Sequence, residues 1–453
     1  MRSTLTLFGV SLGYFMILLD TTVLSVAEPD LVASLDGTVA GLQWAVTGYT
    51  VVFGALLLSA GAVADRYGAH RAFRAGIAVF GAGSLLSAAA PDLWTLVALR
   101  AVLGVAAAAC VPASMAMIAR LYPVPAERAR AVAVWAAISG AALAAGPVVG
   151  GALVGLAGWR AVFLVNVPLA VIVLVLVAGR DVHCPRGSRA IDWWAQLLAC
   201  AALALLTDAL IALGSGADVH ALGSGAGAVL AGAAFVLRER GSAAPVLPPA
   251  VLRVSGIPAA LVAGAAVNFV MTGVLFVLPL VFAEVLGLTP FQTGLAFLPM
   301  TLPFAVNPLI TGRIVAAAGP RRPVLLGLGL LTCGGVLFGT VLLDGATYPP
   351  LVAGLLCTGF GVSFALPALA TMVVTGAPDG MAGTAGGLLN AARQGGATLG
   401  VAVMGAFASV GSGSSAGNEP AYALFLGAAV CAAALLVRPR ARVRPHAEAT
   451  GRR

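Results

Sequence analysis

Fourteen apolar stretches, each about 20 residues or longer, follow one another between residues 5 and 437, with only short polar loops between them. A helix rises about 1.5 Å per residue, so each stretch can cross roughly 30 Å of hydrocarbon. Charge is correspondingly scarce. Of 453 residues, 9% are charged and 60% are hydrophobic, whereas a water-soluble domain devotes about a quarter of its residues to charge. A surface this poor in charge has lipid for its solvent. The expected fold is all-α: a polytopic membrane protein of fourteen transmembrane helices.

Orientation follows from the basic residues, all 25 of which are Arg. With the N-terminus inside, every Arg except Arg100, Arg160 and Arg393 falls on the cytoplasmic side, including the loop at 180–189 and the tail at 438–453. The opposite loops carry Asp30, Asp36, Asp92, Asp218, Glu284, Asp344 and Glu419. Both termini are therefore expected in the cytoplasm, with the chain in the inner (plasma) membrane. The first stretch contains Asp20 and lacks a small-x-small exit site, which makes it a retained anchor rather than a cleaved leader.

The composition also excludes several chemistries. Without Lys there is no phosphate-binding Walker loop and no Schiff base to pyridoxal phosphate. The six Cys form no C-x-x-C pair and the four His no metal spacing, so neither a metal nor a cofactor is expected. The net charge of +8 lies in short Arg clusters between apolar runs, a pattern of membrane topology and not of nucleic-acid binding. No Ser-His-Asp or Cys-His grouping points to an enzyme.

One internal echo bears on domain organisation. GAVADRYGAHR (61–71) and GRIVAAAGPRR (312–322) place Gly61, Gly68 and Arg71 against Gly312, Gly319 and Arg322 at equal offsets. Two repeated halves with a site between them are a common transporter plan. The expected units are a six-helix half at 1–180, two inserted helices with flanking loops at 181–253, a second six-helix half at 254–437 and a basic cytoplasmic tail at 438–453.

GAVADRYGAHR resembles the signature loop of the major facilitator superfamily. AISGAALAAGPVVGG (137–151) resembles the fifth-helix motif of its antiporters, and LLDTTVLSVAEP (18–29) the first-helix motif of its fourteen-helix drug:proton antiporters. LQWAVTGYT, GWRAVFLVNVP, FQTGLAFLPM and LLNAARQGGATLG are also similar to that branch, the last two to antibiotic exporters of the methylenomycin A resistance type. The likeness covers almost the whole chain. It departs at Ser25, Glu28, Ala69, Leu103 and Ala142.

An ionisable side chain within hydrocarbon is costly unless paired or facing a wet cavity, and so marks function. Asp20 lies about 12 Å from the outer end of the first span and Arg100 about 9 Å from that of the fourth, comparable depths for a proton-coupling pair. Glu28 is a second proton site or a cation lure, which its neighbour Pro29 places near the outer interface. Asn390, Arg393 and Gln394 share one face of the thirteenth span; with Asn268, Asn166 and Trp44 they are candidates for lining the substrate cavity. The resemblance implies that Asp65 braces an inner gate, with Arg66, Arg71, Gly61 and Gly68 in the same loop. It also implies that Gly146, Pro147, Gly150 and Gly151 seal the fifth helix against proton leak.

Together these features lead to a proton-driven antiporter that exports small, largely apolar compounds, an antibiotic or multidrug pump working by alternating access. The alternative is a proton-coupled importer of a small metabolite. Its partners are the substrate, protons and the bilayer, with no nucleic acid, and the chain is expected to act as a monomer. Opposite charges near the pocket leave cationic, anionic and neutral substrates open.

Overall fold

The computed structural model describes residues 2–179, 192–242, 245–345, 347–378, 381–409 and 418–437. The loop at 180–189 and the tail at 438–453 lie outside the described residues. Everything regular that is described is helix. The first part of the chain forms α1 (Arg2–Ser34), α2 (Val39–Tyr67), α3 (Ala69–Ala88), α4 (Leu93–Leu121), α5 (Pro125–Ala157), α6 (Arg160–Leu164) and α7 (Asn166–Leu176). Two helices follow, α8 (Trp193–Gly214) and α9 (Asp218–Gly241), and then the short α10 (Pro249–Leu252). The remainder forms α11 (Ile257–Glu284), α12 (Pro290–Ala296), α13 (Leu298–Ala318), α14 (Arg321–Leu343), α15 (Tyr348–Gly376), α16 (Ala382–Ser409) and α17 (Glu419–Leu436). Eleven helices among the described residues are long and apolar enough to cross a membrane.

Two of the expected spans are broken. The stretch at 159–179 divides at Val165 into α6 and α7, and the stretch at 291–316 divides at Phe297 into α12 and α13. Each break lies two or three residues before a proline, Pro168 or Pro299, which has no N–H to continue the ladder. The helix ends are fixed locally. Thr38 accepts the Gly41 N–H at 3.1 Å and starts α2, while Asp92 accepts the Thr95 N–H at 2.8 Å and starts α4. Gly68 and Gly319 turn the chain between α2 and α3 and between α13 and α14 with φ of 91° and 78°. Only glycine takes such angles without strain, so the sequence echo is also an echo of backbone geometry.

The packing forms two groups. In one, α1 lies on α5 and α7, α2 lies on α4, and α3 lies on α4. In the other, α11 lies on α16, and α14 lies on α15 and α17, with α13 against α15. The groups meet through α2 with α16, α5 with α12 and α13, and α1 with α11. Helix α8 rests across the seam on α2 and α16, and α9 packs on α8. Asp192 caps α8 and ties it to α9. Burial pushes its carboxyl up, but the Ala195 N–H, Arg238 and the Ser242 hydroxyl donate to it and together hold it below the usual carboxylate range.

Candidate functional site

Asp20 sits well inside α1 and is almost completely enclosed. Arg100, reaching from α4, donates from its Nη1 to Asp20 Oδ2. Asn166 Nδ2, at the start of α7, donates to Asp20 Oδ1 at 3.0 Å and lies 3.4 Å from Ser84 Oγ on α3. Arg100 has two further partners on α2: its Nε donates to the Ala45 carbonyl at 3.1 Å, and its guanidinium carbon lies 4.5 Å from the centre of the Tyr49 ring. Charges taken out of water cost several kcal/mol each unless they are paired and their remaining valences satisfied. Here one carboxylate and one guanidinium neutralise each other, and three further helices, α2, α3 and α7, supply the other contacts.

The structure thus brings Asp20, Arg100 and Asn166 together, and it adds Tyr49, Ser84 and the Ala45 carbonyl to them. Glu28 is elsewhere. Its nearness to Pro29 suggested an interfacial position, yet it is buried to 1% exposure and its Oε2 has no partner. The reason is length: α1 continues to Ser34, about 9 Å beyond Glu28, so the proline does not mark the end of the helix.

A second polar cluster lies between α11 and α16. Arg393 donates from Nε to Asn268 Oδ1 at 3.2 Å and from Nη1 to Asn390 Oδ1 at 3.0 Å. Gln394 turns towards α2, where its Cβ would stand 2.7 Å from a Cβ placed on Gly54. Trp44 is half-buried on α2, outside both clusters.

At the Thr38 end of the bundle, the two groups of helices are fastened together. Gln43 donates from Nε2 to the Val401 and Ala402 carbonyls at 3.1 and 2.9 Å, and the Thr50 and Thr398 hydroxyls are 2.8 Å apart. Gln43, Thr47, Thr50 and Gly54 recur at helical spacing, so one stripe of α2 faces α16. The fifth-helix motif lies in a second cross-contact. A Cβ on Gly150 would stand 2.8 Å from the Val23 carbonyl of α1, and one on Gly146 would overlap Thr22. On the other side Gly151 meets Pro290 of α12, and Gly294 meets the Pro147 carbonyl. The four motif residues let α5 wedge between α1 and α12.

Towards the Gly68 end the contacts fall away. Side chains added at Gly61, Gly312 or Gly383 would meet nothing within 4 Å, and Asp65, Arg66 and Arg71 are exposed. Arg66 lies 5.9 Å from the Tyr67 ring centre. Arg71, with His70 and Arg74, borders a cavity of about 540 Å³ between α3 and α7. Among the described residues no three His, Cys, Asp or Glu side chains gather as a metal ion would need.

Comparison with known proteins gives a consistent result. The model of the Major Facilitator Superfamily matches residues 10–401 and 260–453. The chain is 34% identical over 438 residues to the methylenomycin A resistance protein of Bacillus subtilis (strain 168), covering 95% of this chain and 93% of that one. It is 32% identical over 406 residues to the tetracenomycin C resistance and export protein of Streptomyces glaucescens, covering 88% and 75%. Among solved structures, a POT family transporter in complex with 5-aminolevulinic acid superposes with a TM-score of 0.70 at 12% identity, covering 94% of each chain, and so shares the fold. A helical bundle of broken and glycine-wedged apolar helices, a signature loop and full-length likeness to resistance proteins together place this multi-pass membrane chain in the major facilitator superfamily of transporters.

Proposed function

We propose that this chain is a proton-driven antiporter that exports small, largely apolar compounds by alternating access, as an antibiotic or multidrug pump. The observation that carries the reading is the buried Asp20–Arg100 pair, whose contacts draw on five helices of one half. A proton arriving on Asp20 removes the charge that Arg100 answers and loosens a contact on which α1, α2, α4 and α7 converge. Glu28, buried without a cation, is the second seat for a proton. Each elementary charge moving down 100 mV releases about 2.3 kcal/mol, which drives the exchange without a nucleotide.

The arrangement in the bilayer follows. If α6–α7 and α12–α13 each form one broken crossing and α10 lies outside the hydrocarbon, the seventeen helices make fourteen crossings. Both termini then lie in the cytoplasm, six crossings form each half, and α8–α9 are the inserted pair. The Thr38 end faces outwards, so the fastened state is inward-facing. Asp65, Arg66 and Arg71 close the inner end when the halves rock, and Gly146, Pro147, Gly150 and Gly151 keep the outer end tight. The names of the relatives favour export over the competing import reading.

The test is purified protein in liposomes with an imposed pH gradient. Asp20→Asn is expected to abolish gradient-driven drug movement while Asp20→Glu retains part of it. Full-rate, pH-driven transport by Asp20→Asn refutes the mechanism.

A further inference from the structure

Arg100 and Arg393 are both held within the bundle, but their situations differ. Arg100 is neutralised by Asp20. Arg393 forms no ion pair among the described residues; its partners are the amide oxygens of Asn268 and Asn390. An amide oxygen satisfies a donor without cancelling a charge, and an uncancelled charge in a membrane interior is costly enough to mark a ligand or ion path. Arg393 is only half-buried, so part of it meets open space.

The other half carries an aromatic platform. Tyr14 of α1 and Trp135 of α5 stack with ring centres 4.6 Å apart and planes 3° from parallel. Both rings are half-buried, and Arg393 lies within electrostatic reach of the Tyr14 phenol although α1 and α16 are not packed together. Trp135 Nε1 is a buried donor with no partner. An orphan N–H within the stacked pair and a guanidinium whose partners are neutral amides are both donors. Among the described residues no carboxylate pairs with Arg393: Asp20 is spent on Arg100, and Glu28 forms no ion pair with it.

We infer that this site binds the exported compound as an organic anion, a planar or aromatic molecule carrying a carboxylate or similarly acidic oxygen, whose charge docks on Arg393 and whose ring lies against Tyr14 and Trp135. The substrate itself is then the missing counter-ion. Direction of movement rests on the antiporter reading, but recognition of the anion does not. The charge balance has a consequence. Exchanging one monoanion outwards for one proton inwards carries two positive charges inwards, whereas exchanging a monocation carries none, so the membrane potential as well as the pH gradient drives export.

Two xanthene dyes of similar skeleton and opposite charge, carboxyfluorescein and rhodamine 6G, test the assignment by fluorescence anisotropy with the purified full chain. Wild type is expected to bind carboxyfluorescein at least about tenfold more tightly than rhodamine 6G. Arg393→Ala should weaken the anion by about tenfold to a hundredfold, the range for loss of charge-assisted hydrogen bonds. Arg393→Lys should restore most of that loss, and Trp135→Phe, which keeps the stack and removes the donor, should cost a few fold. Preference for rhodamine 6G, binding of neither dye, or an equal loss of both in Arg393→Ala overturns the inference; the milder Lys and Phe variants guard against a folding defect. In liposomes a negative-inside potential should accelerate carboxyfluorescein export. Anion binding that is intact without any proton-driven movement leaves this site standing and refutes the antiport reading alone.

Discussion

Gln43 offers a direct measure of what holds the Thr38 end shut. Its amide is 1% exposed and donates to two carbonyls of α16, which belongs to the other group of helices. Opening that end separates α2 from α16 and breaks both bonds, so they count towards only one of the two conformations. A neutral hydrogen bond contributes about 0.5–1.5 kcal/mol net, so the pair favours the fastened state by about 1–3 kcal/mol. Gln43→Met keeps the length of the side chain, avoids a cavity beside Gly405 and Phe276, and removes both donors. The ratio of fastened to open molecules should fall by about fivefold to a hundredfold. Spin labels at Ala33 and Val285, both exposed near this end, in a background with the native cysteines replaced, report the change as a longer component in the distance distribution. A folded Gln43→Met protein with the wild-type distance distribution would show that the bonds do not bias the equilibrium.

Three further substitutions have outcomes set by local geometry. Gly150→Ala drives a methyl to 2.8 Å from the Val23 carbonyl and should cost about 1–3 kcal/mol, seen as a lower melting temperature in detergent, whereas Gly61→Ala meets nothing and should melt at or slightly above wild type. Tyr49→Phe should leave stability unchanged, because the buried Tyr49 hydroxyl has no partner to lose, while Tyr49→Leu removes the ring from beside Arg100 and should cost about 1–2 kcal/mol in the same melt. Asp192→Ala should destabilise the α8–α9 pair by about 1 kcal/mol at neutral pH. Because the Asp192 carboxyl is held below its ordinary value of 3.8, its contribution is complete above that value and disappears as pH falls through the lower, folded-state value. The gap between wild-type and variant melting temperatures should therefore close in acid and be widest at neutral pH.

What could be read from the sequence was depth along each helix, and what could not was which faces meet. Counting 1.5 Å per residue brings Asp20 and Arg100 to similar levels, and apolar length marks where the helices run. The breaks at Val165 and Phe297 were less legible. A proline inside an apolar run is tolerated in many membrane helices, as Pro29, Pro112 and Pro147 are here, so Pro168 and Pro299 carried no distinct warning. Asn166 could be recognised as a polar residue in an apolar stretch, yet its bond to Asp20 spans 146 positions and depends on how α7 docks. Gln43, Thr47 and Thr50 fall at helical spacing, but their partner, α16, is reached in part through its backbone carbonyls, which have no side-chain signature. Nothing in the sequence singles out Trp135, whose orphan N–H and stacked neighbour depend on how α1 and α5 pack.

The two arginines held within the bundle, Arg100 buried and Arg393 half-buried, would let it be both tight and responsive under the proposed function. Arg100 has its counter-charge on the same chain, with contacts confined to one half, so the proposed protonation of Asp20 would act within that half. Arg393 stands in the other half and has no counter-charge among the described residues. A ligand that supplies one must touch Arg393 on α16 and the Tyr14–Trp135 stack on α1 and α5, spanning the gap between halves. Binding energy gained across a gap is realised in full only when the gap has the right width, so such a ligand favours one arrangement of the halves over the other. In the proposed mechanism, proton and ligand thus act on the same two-state equilibrium from opposite sides of the seam, and neither needs to touch the other. Removing the charge of Arg393 should therefore uncouple ligand from conformation while leaving the Asp20–Arg100 pair intact. In the Ala33–Val285 distance measurement, Arg393→Ala should keep the wild-type distribution without dye and lose any change on adding carboxyfluorescein. A dye response that survives in Arg393→Ala would place the coupling somewhere other than this cation.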